Sequence, residues 1–242
     1  MTTSSRIAAY IEHVSQLEQA KGPGEEALRL AVGGEFEAVG KLEYYLLRFL
    51  GLRGGQLLID VGCGSGRLAC KLAPHKDIAY VGTDVVPQLL EAARAIAGRD
   101  DWKFVLVEDI TIPCADDTAD IVTFFSVLTH LTHEESFRYI REAARCLKKG
   151  GFVVASFLEF RDPWHWDIFA GSVATERSRH WNQFTDRDAI AAWASHSGLS
   201  VESFFGGEEA RIPIPEDILW ENGTCMKSFA NFGQALAVLR KT

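Results

Sequence analysis

The segment LLIDVGCGSGRLA, residues 57–69, constrains this chain more than any other stretch. An apolar run ends in Asp60, three glycines follow at alternate positions, and a helix-forming run begins. The pattern predicts a β-strand, a tight loop and the N-terminus of a helix. Gly62, Gly64 and Gly66 carry no side chain, so a ligand can approach bare backbone there. The helix start beyond them presents N–H groups without intrahelical partners, which suits a carboxylate or a phosphate. Read alone, the glycines are equally compatible with a plain strand–helix turn.

The detail of the loop narrows the ligand. A dinucleotide fingerprint, Gly-x-Gly-x-x-Gly, would put its third glycine at position 67, where Arg67 stands. Asp60 beside the loop repels a pyrophosphate and suits an ammonium or sulfonium cation. S-Adenosylmethionine carries both cations, one carboxylate and no phosphate. Two more apolar runs end in acids. IAYVGTDVV reaches Asp84, at the place where a strand-end acid grips a pair of ribose hydroxyls. Its two oxygens can accept both protons, and Asp84 is also placed to cap the helix that Pro87 opens. KFVLVEDI ends in Glu108 and Asp109. Asp109 can accept the exocyclic amine of an adenine, and Ile110 can cover the base. Three successive strands ending in acids argue against a mere turn.

The ordered set DVGCGSGR, VGTDV, EDI, ADIVTFFSVLTHL and LKKGGFVVASF closely resembles the class I S-adenosylmethionine-dependent methyltransferases. The resemblance runs from Leu42 to Leu158, and Phe232–Arg240 resembles the closing strand. It implies an α/β fold: a doubly wound, mostly parallel seven-stranded sheet with helices on both faces, the Rossmann-like methyltransferase fold. It implies S-adenosylmethionine as cofactor and S-adenosylhomocysteine as product. By the same resemblance, Gly62, Cys63 and Gly64 line the methionine part, Asp84 binds the ribose, Val85 packs on the adenine and Asp109 binds its amine. Phe125 and Ser126 face the cofactor's amino-acid end. Lys41 stands where some relatives place a basic residue near the cofactor carboxylate.

Composition bounds the rest. The 242 residues are 47% hydrophobic and 24% charged, which fits one globular α/β domain, 1–242, with a large core. The longest apolar runs are too short for a membrane span, and the first residues lack the pattern of a secretory signal. The five cysteines form no Cys-x-x-Cys pair, which argues for reduced thiols in a cytoplasm and against a zinc site. The net charge of −8 and the absence of a basic stripe disfavour a nucleic-acid partner. No cluster of acids with metal-ligand spacing appears, so no metal is expected.

Along the chain, residues 1–36 read as an N-terminal helical cap, with Ile7, Tyr10, Ile11, Val14 and Leu17 on one face. Residues 159–184 read as an aromatic insertion forming part of the substrate wall, with Trp164, His165, Trp166 and Trp181 as substrate contacts. Glu159 could hold an amine there. The segment after it predicts a helix capped by Thr185 and stopped at Gly198. A hydroxyl acceptor must lose a proton, and histidine is the natural base near neutral pH. His130 and His133, after the fourth strand, are the candidates for catalysis; each is also compatible with a packing role. The expected activity is methyl transfer to an oxygen or nitrogen of a small aromatic or apolar metabolite. An NAD(P)-dependent oxidoreductase and a non-catalytic cofactor-binding subunit are the alternatives; the Arg67 position and Asp60 count against the first.

Overall fold

The computed structural model describes residues 10–12, 14–17, 19–20, 33, 35–174 and 182–242. The chain packs as two compact units, Met1–Ile110 with Pro213–Phe229, and Thr111–Ile212 with Ala230–Thr242.

In the first unit, α1 (Phe36–Phe49) buries Phe36, Leu42, Leu46 and Leu47 at helical spacing. Then come β1 (Leu57–Val61), the glycine loop, α2 (Arg67–Leu72), β2 (Ala79–Asp84), α3 (Pro87–Ala97) and β3 (Lys103–Leu106). β1 pairs parallel with β2, and β2 with β3; Asp60 lies opposite Gly82 in the register. A Cβ on Gly82 would stand 2.8 Å from the Cys63 sulfur, so the missing side chain lets the loop fold down onto β2. Pro87 opens α3 and Gly98, at φ 56°, ends it. Arg99 is buried and donates to the carbonyls of Ala73 (3.2 Å), His75 (3.1 Å) and Lys76 (3.3 Å), tying down the chain after α2. Residues 10–12, 14–17 and 19–20 are helical. Val14 packs with Val86 and Leu89, and Tyr10, Ile11, Leu17 and Val85 join that cluster, as the apolar face of this segment predicts. Ile7 lies outside the described residues. A hairpin of Ile218–Leu219 with Cys225–Met226 completes the unit. The Glu35 carboxylate holds it to the start of α1 by accepting the Glu221 N–H.

The second unit holds β4 (Ala119–Phe124), α4 (His133–Cys146), β5 (Leu147–Glu159), α5 (Pro163–Ala174), β6 (Phe184–Thr185), α6 (Arg187–His196), β7 (Leu199–Phe205) and β8 (Ala235–Lys241). β4 and β5 are parallel, while β8 runs antiparallel to both β5 and β7. α4 starts on a capping box: Thr132 accepts the Glu135 N–H, and the Glu135 carboxylate accepts the Thr132 N–H. The cap of α6 is Asp186, whose Oδ1 accepts the Ala189 N–H at 2.7 Å, and not Thr185. Thr185 is taken up by pairing with Glu159 in the short β6. The closing strand begins at Ala235 and not at Phe232, because Gly233 turns the chain at φ 78°.

Apart from the two-residue β6, three strands of the first unit and four of the second make up the sheet strands of the expected mostly parallel α/β fold. No helix among the described residues is long and apolar enough to cross a membrane.

Candidate cofactor and acceptor site

The glycine loop follows β1 directly. Gly62, Gly64 and Gly66 stand at φ 71°, 55° and 88°, a left-handed region that other residues enter only with strain. A Cβ on Gly66 would lie 2.8 Å from the Ala93 backbone, so this glycine also sets the close packing of α3. Asp84, the last residue of β2, ties the loop to α3. Its Oδ2 accepts the Gly64 N–H at 2.9 Å and its Oδ1 accepts the Val86 N–H at 3.0 Å. Burial pushes its carboxyl up to about 6, against the pull of those N–H groups. Four lone-pair sites on the two oxygens exceed the backbone N–H groups of Gly64, Val85 and Val86 that act on them, which leaves capacity for a ligand hydroxyl.

Asp60 is buried and accepts the Tyr80 hydroxyl at 2.8 Å. Burial and the Asp60 charge together hold the Tyr80 phenol well above its ordinary range. Cys63 is buried in the loop; burial, then the Asp84 and Asp60 charges, keep its thiol protonated. Val85 is half-buried, Ile110 buried and Asp109 exposed.

Lys41 does not stand free for a cofactor carboxylate. Its Nζ lies 2.7 Å from Glu216, which also accepts the Tyr45 hydroxyl, so its charge is committed to the 213–229 segment. The cation beside the loop is Arg67, the first residue of α2. Its Nε and Nη2 both donate to Glu43 Oε1, at 3.0 and 2.6 Å. Glu43 is buried on the apolar face of α1; burial raises its pKa, and Arg67 draws it back down. The sequence reading missed Glu43, although a charge among Leu42, Leu46 and Leu47 demands a partner.

In the second unit, Phe125 packs on Phe232 with ring centroids 5.4 Å apart. Ser126 follows β4 in a left-handed turn at φ 58°. His130 is exposed on the 3-10 turn Leu128–His130. His133 sits at the start of α4, with Nε2 3.0 Å from the Phe184 carbonyl and its ring edge-on to Trp193. His133 is exposed, and these contacts tie it to the segment that leads into α6. Trp164 and Trp166 are 52% and 50% exposed on α5, and Trp166 borders a cluster with Phe160 and Phe169. His165 is a correction: it is fully buried, with Nδ1 accepting the Glu159 N–H (3.1 Å) and Nε2 donating to the Gly233 carbonyl (2.9 Å). Both ring nitrogens are used by the fold, so neither is left for a substrate. Glu159 is likewise buried, forked onto Arg187 at 2.8 and 2.9 Å. Trp181 lies outside the described residues. No group of metal-ligating side chains occurs among the described residues.

The site in the first unit fits S-adenosylmethionine. Its buried acids, Asp60 and Asp84, oppose a phosphate and suit hydroxyls and cations. The loop between them carries no side chain at Gly62, Gly64 and Gly66.

Comparison with known proteins agrees. The family described as "Methyltransferase domain" matches residues 59–155, which include the loop, Asp84, Asp109, Ser126 and His130. The chain is 31% identical over 119 residues to the 27-O-demethylrifamycin SV methyltransferase of Amycolatopsis mediterranei, covering 48% of this chain and 43% of that protein. It is 28% identical over 176 residues to the ubiquinone biosynthesis O-methyltransferase of Xanthomonas euvesicatoria, covering 69% and 71%. The chain thus spans less than half the length of the first of these relatives. Among solved structures, the magnesium protoporphyrin IX methyltransferase from Synechocystis PCC 6803, with bound SAH, superposes with a TM-score of 0.62 at 16% identity, covering 96% of this chain and 94% of that one; the likeness is one of fold. The segment 59–155, which holds the glycine loop and the strand-end acids, thus matches a methyltransferase domain, and the chain is similar in sequence and fold to S-adenosylmethionine-dependent methyltransferases.

Proposed function

We propose that this chain transfers the methyl group of S-adenosylmethionine to an oxygen or nitrogen of a small aromatic or apolar acceptor. The observation that carries the reading is the left-handed glycine loop pinned by Asp84 between β1 and β2. Bound there, the cofactor supplies an electrophilic methyl on a cationic sulfur. The chain's own work is to hold the partners in line, because collinear approach supplies much of the rate. Asp84, Val85, Asp109 and Ile110 hold the nucleoside end in this reading, with Phe125 and Ser126 at the amino-acid end.

The acceptor side rests on Trp164 and Trp166, exposed aromatics on α5 that suit a flat or apolar molecule. The names of the two curated relatives, both O-methylating, support an oxygen acceptor. His130 is then the base that takes the hydroxyl proton. The net charge of −8 speaks against a nucleic-acid substrate, and five free cysteines fit a cytoplasmic setting. The test is turnover of isotopically labelled S-adenosylmethionine with a panel of phenols, catechols and arylamines, read as a one-methyl mass gain. Methylation of tRNA or protein with none on the panel would overturn the small-molecule reading.

A further inference from the structure

In the second unit, the loop before β4 carries Cys114, and α4 ends on Cys146. The end of α4 holds that loop by its backbone. The Arg145 guanidinium donates to the Cys114 carbonyl at 2.7 Å and to the Ile112 carbonyl at 2.9 Å. The Arg145 carbonyl accepts the Asp117 N–H at 3.0 Å, and the Cys146 carbonyl accepts the Thr118 N–H at 2.9 Å. Residues 112–118 are thereby fixed against the last two residues of the helix.

The two thiols meet inside that frame. Cys146 Sγ lies 4.0 Å from the Cys114 carbonyl, and its thiol is also hydrogen-bonded with the Cys114 thiol. The Thr118 hydroxyl donates to the Ala115 carbonyl at 2.8 Å, which leaves the Cys114 S–H as donor to Thr118 Oγ at 2.7 Å. Cys146 is buried; burial, then the Cys114 charge, pushes its thiol up to about 12. Cys114 is half-buried and the more open of the two. The pair thus has an entry thiol toward solvent and a second thiol behind it.

Two thiols held together by a fixed backbone see each other at high effective concentration, the condition for an intramolecular disulfide. We infer that Cys114 and Cys146 form a reversible disulfide that staples the 112–118 loop to the end of α4. The oxidant is a small-molecule disulfide of the glutathione class. The Cys114 thiolate attacks one sulfur of it: a mixed S–S bond forms, the original S–S bond breaks, and one small thiolate leaves. The Cys146 thiolate then attacks the Cys114 sulfur, closing the protein disulfide and releasing the second small thiolate. Two protein thiols are oxidised, one small disulfide is reduced, and the two thiol protons end on the released thiols. The new bond closes a ring through β4 and α4 and so restricts the unfolded chain.

The test incubates the folded chain with glutathione disulfide in excess over glutathione, followed by alkylation, intact mass and peptide mapping. The expected result is a loss of two hydrogens, a cross-linked peptide pair carrying Cys114 and Cys146, and a melting temperature higher by about 5–15 °C, all reversed by dithiothreitol. Cys114→Ser, at the half-buried position, should lose the cross-link and the thermal shift together, and Cys146→Ala should do the same. If Cys146→Ala does not fold by circular dichroism, Cys114→Ser alone decides. No reaction, or a stable glutathione adduct on Cys114 without ring closure, overturns the inference. So does a cross-link to Cys63, Cys70 or Cys225 in place of Cys146, or a Cys114–Cys146 bond that leaves the melting temperature unchanged or lower.

Discussion

Asp84 accepts the backbone N–H of Gly64 across the end of β2, at 2.9 Å, so the acid proposed to grip the ribose also sets the shape of the glycine loop. Two roles on one buried carboxylate have a pH consequence. Its pKa is about 6 in the folded chain, against roughly 3.9 in an unfolded one. Between those values the folded chain holds a proton that the unfolded chain has released. The group's contribution to stability therefore falls as pH rises through about 4 to 6. Ligand binding has the opposite sign, because only the carboxylate accepts two hydroxyls. Affinity for S-adenosylhomocysteine should weaken as pH drops below about 6, and Asp84→Ala should flatten that dependence; titrations between pH 5 and 8 check it.

Gly64→Ala places a Cβ at φ 55°. The left-handed conformation should cost about 1–2 kcal/mol, lowering the melting temperature by a few degrees while the fold survives. Cofactor affinity should fall much further than stability, since the loop backbone is what the ligand approaches. A variant that binds as wild type does would reduce the loop to a turn.

The Arg67–Glu43 pair joins α2 to α1 with little exposure to water. Arg67→Ala leaves a buried carboxylate unpaired and should destabilise by about 3–5 kcal/mol. Adding Glu43→Leu should recover most of that loss, as urea unfolding of the single and double variants will measure.

His130 and His133 separate cleanly. His130→Ala should slow methyl transfer to a hydroxyl acceptor by about 10²–10⁴-fold and remove the acidic limb of the pH–rate profile. His133→Ala should lower stability through the lost Phe184 and Trp193 contacts while leaving the pH profile in place. Unchanged rates in both variants point to an amine acceptor, which needs no base during transfer.

The order of elements, and the glycine loop with its strand-end acids, were legible in the sequence because they rest on local pattern. Apolar runs, glycines and terminal acids mark β1, β2 and the loop by chain position alone. The failures are residues whose partners lie far along the chain. Lys41 reads as a cation near the loop until Glu216, 175 positions away, takes its charge. His165 reads as a substrate contact until the Gly233 carbonyl, 68 positions on, claims its ring. Thr185 lost the cap of α6 to Asp186 because strand pairing with Glu159 is a tertiary event. Glu43 was visible as a misplaced charge, but only packing names Arg67 as its partner.

The measurement that bears most directly on the account is a pair of calorimetric titrations, S-adenosylhomocysteine and NAD, into wild type and Asp84→Ala. Saturable binding of S-adenosylhomocysteine to wild type is expected, with at least about tenfold weaker binding in Asp84→Ala through loss of charge-assisted hydrogen bonds, and no heat with NAD. Binding of NAD in place of S-adenosylhomocysteine, or S-adenosylhomocysteine affinity untouched by Asp84→Ala, would contradict it.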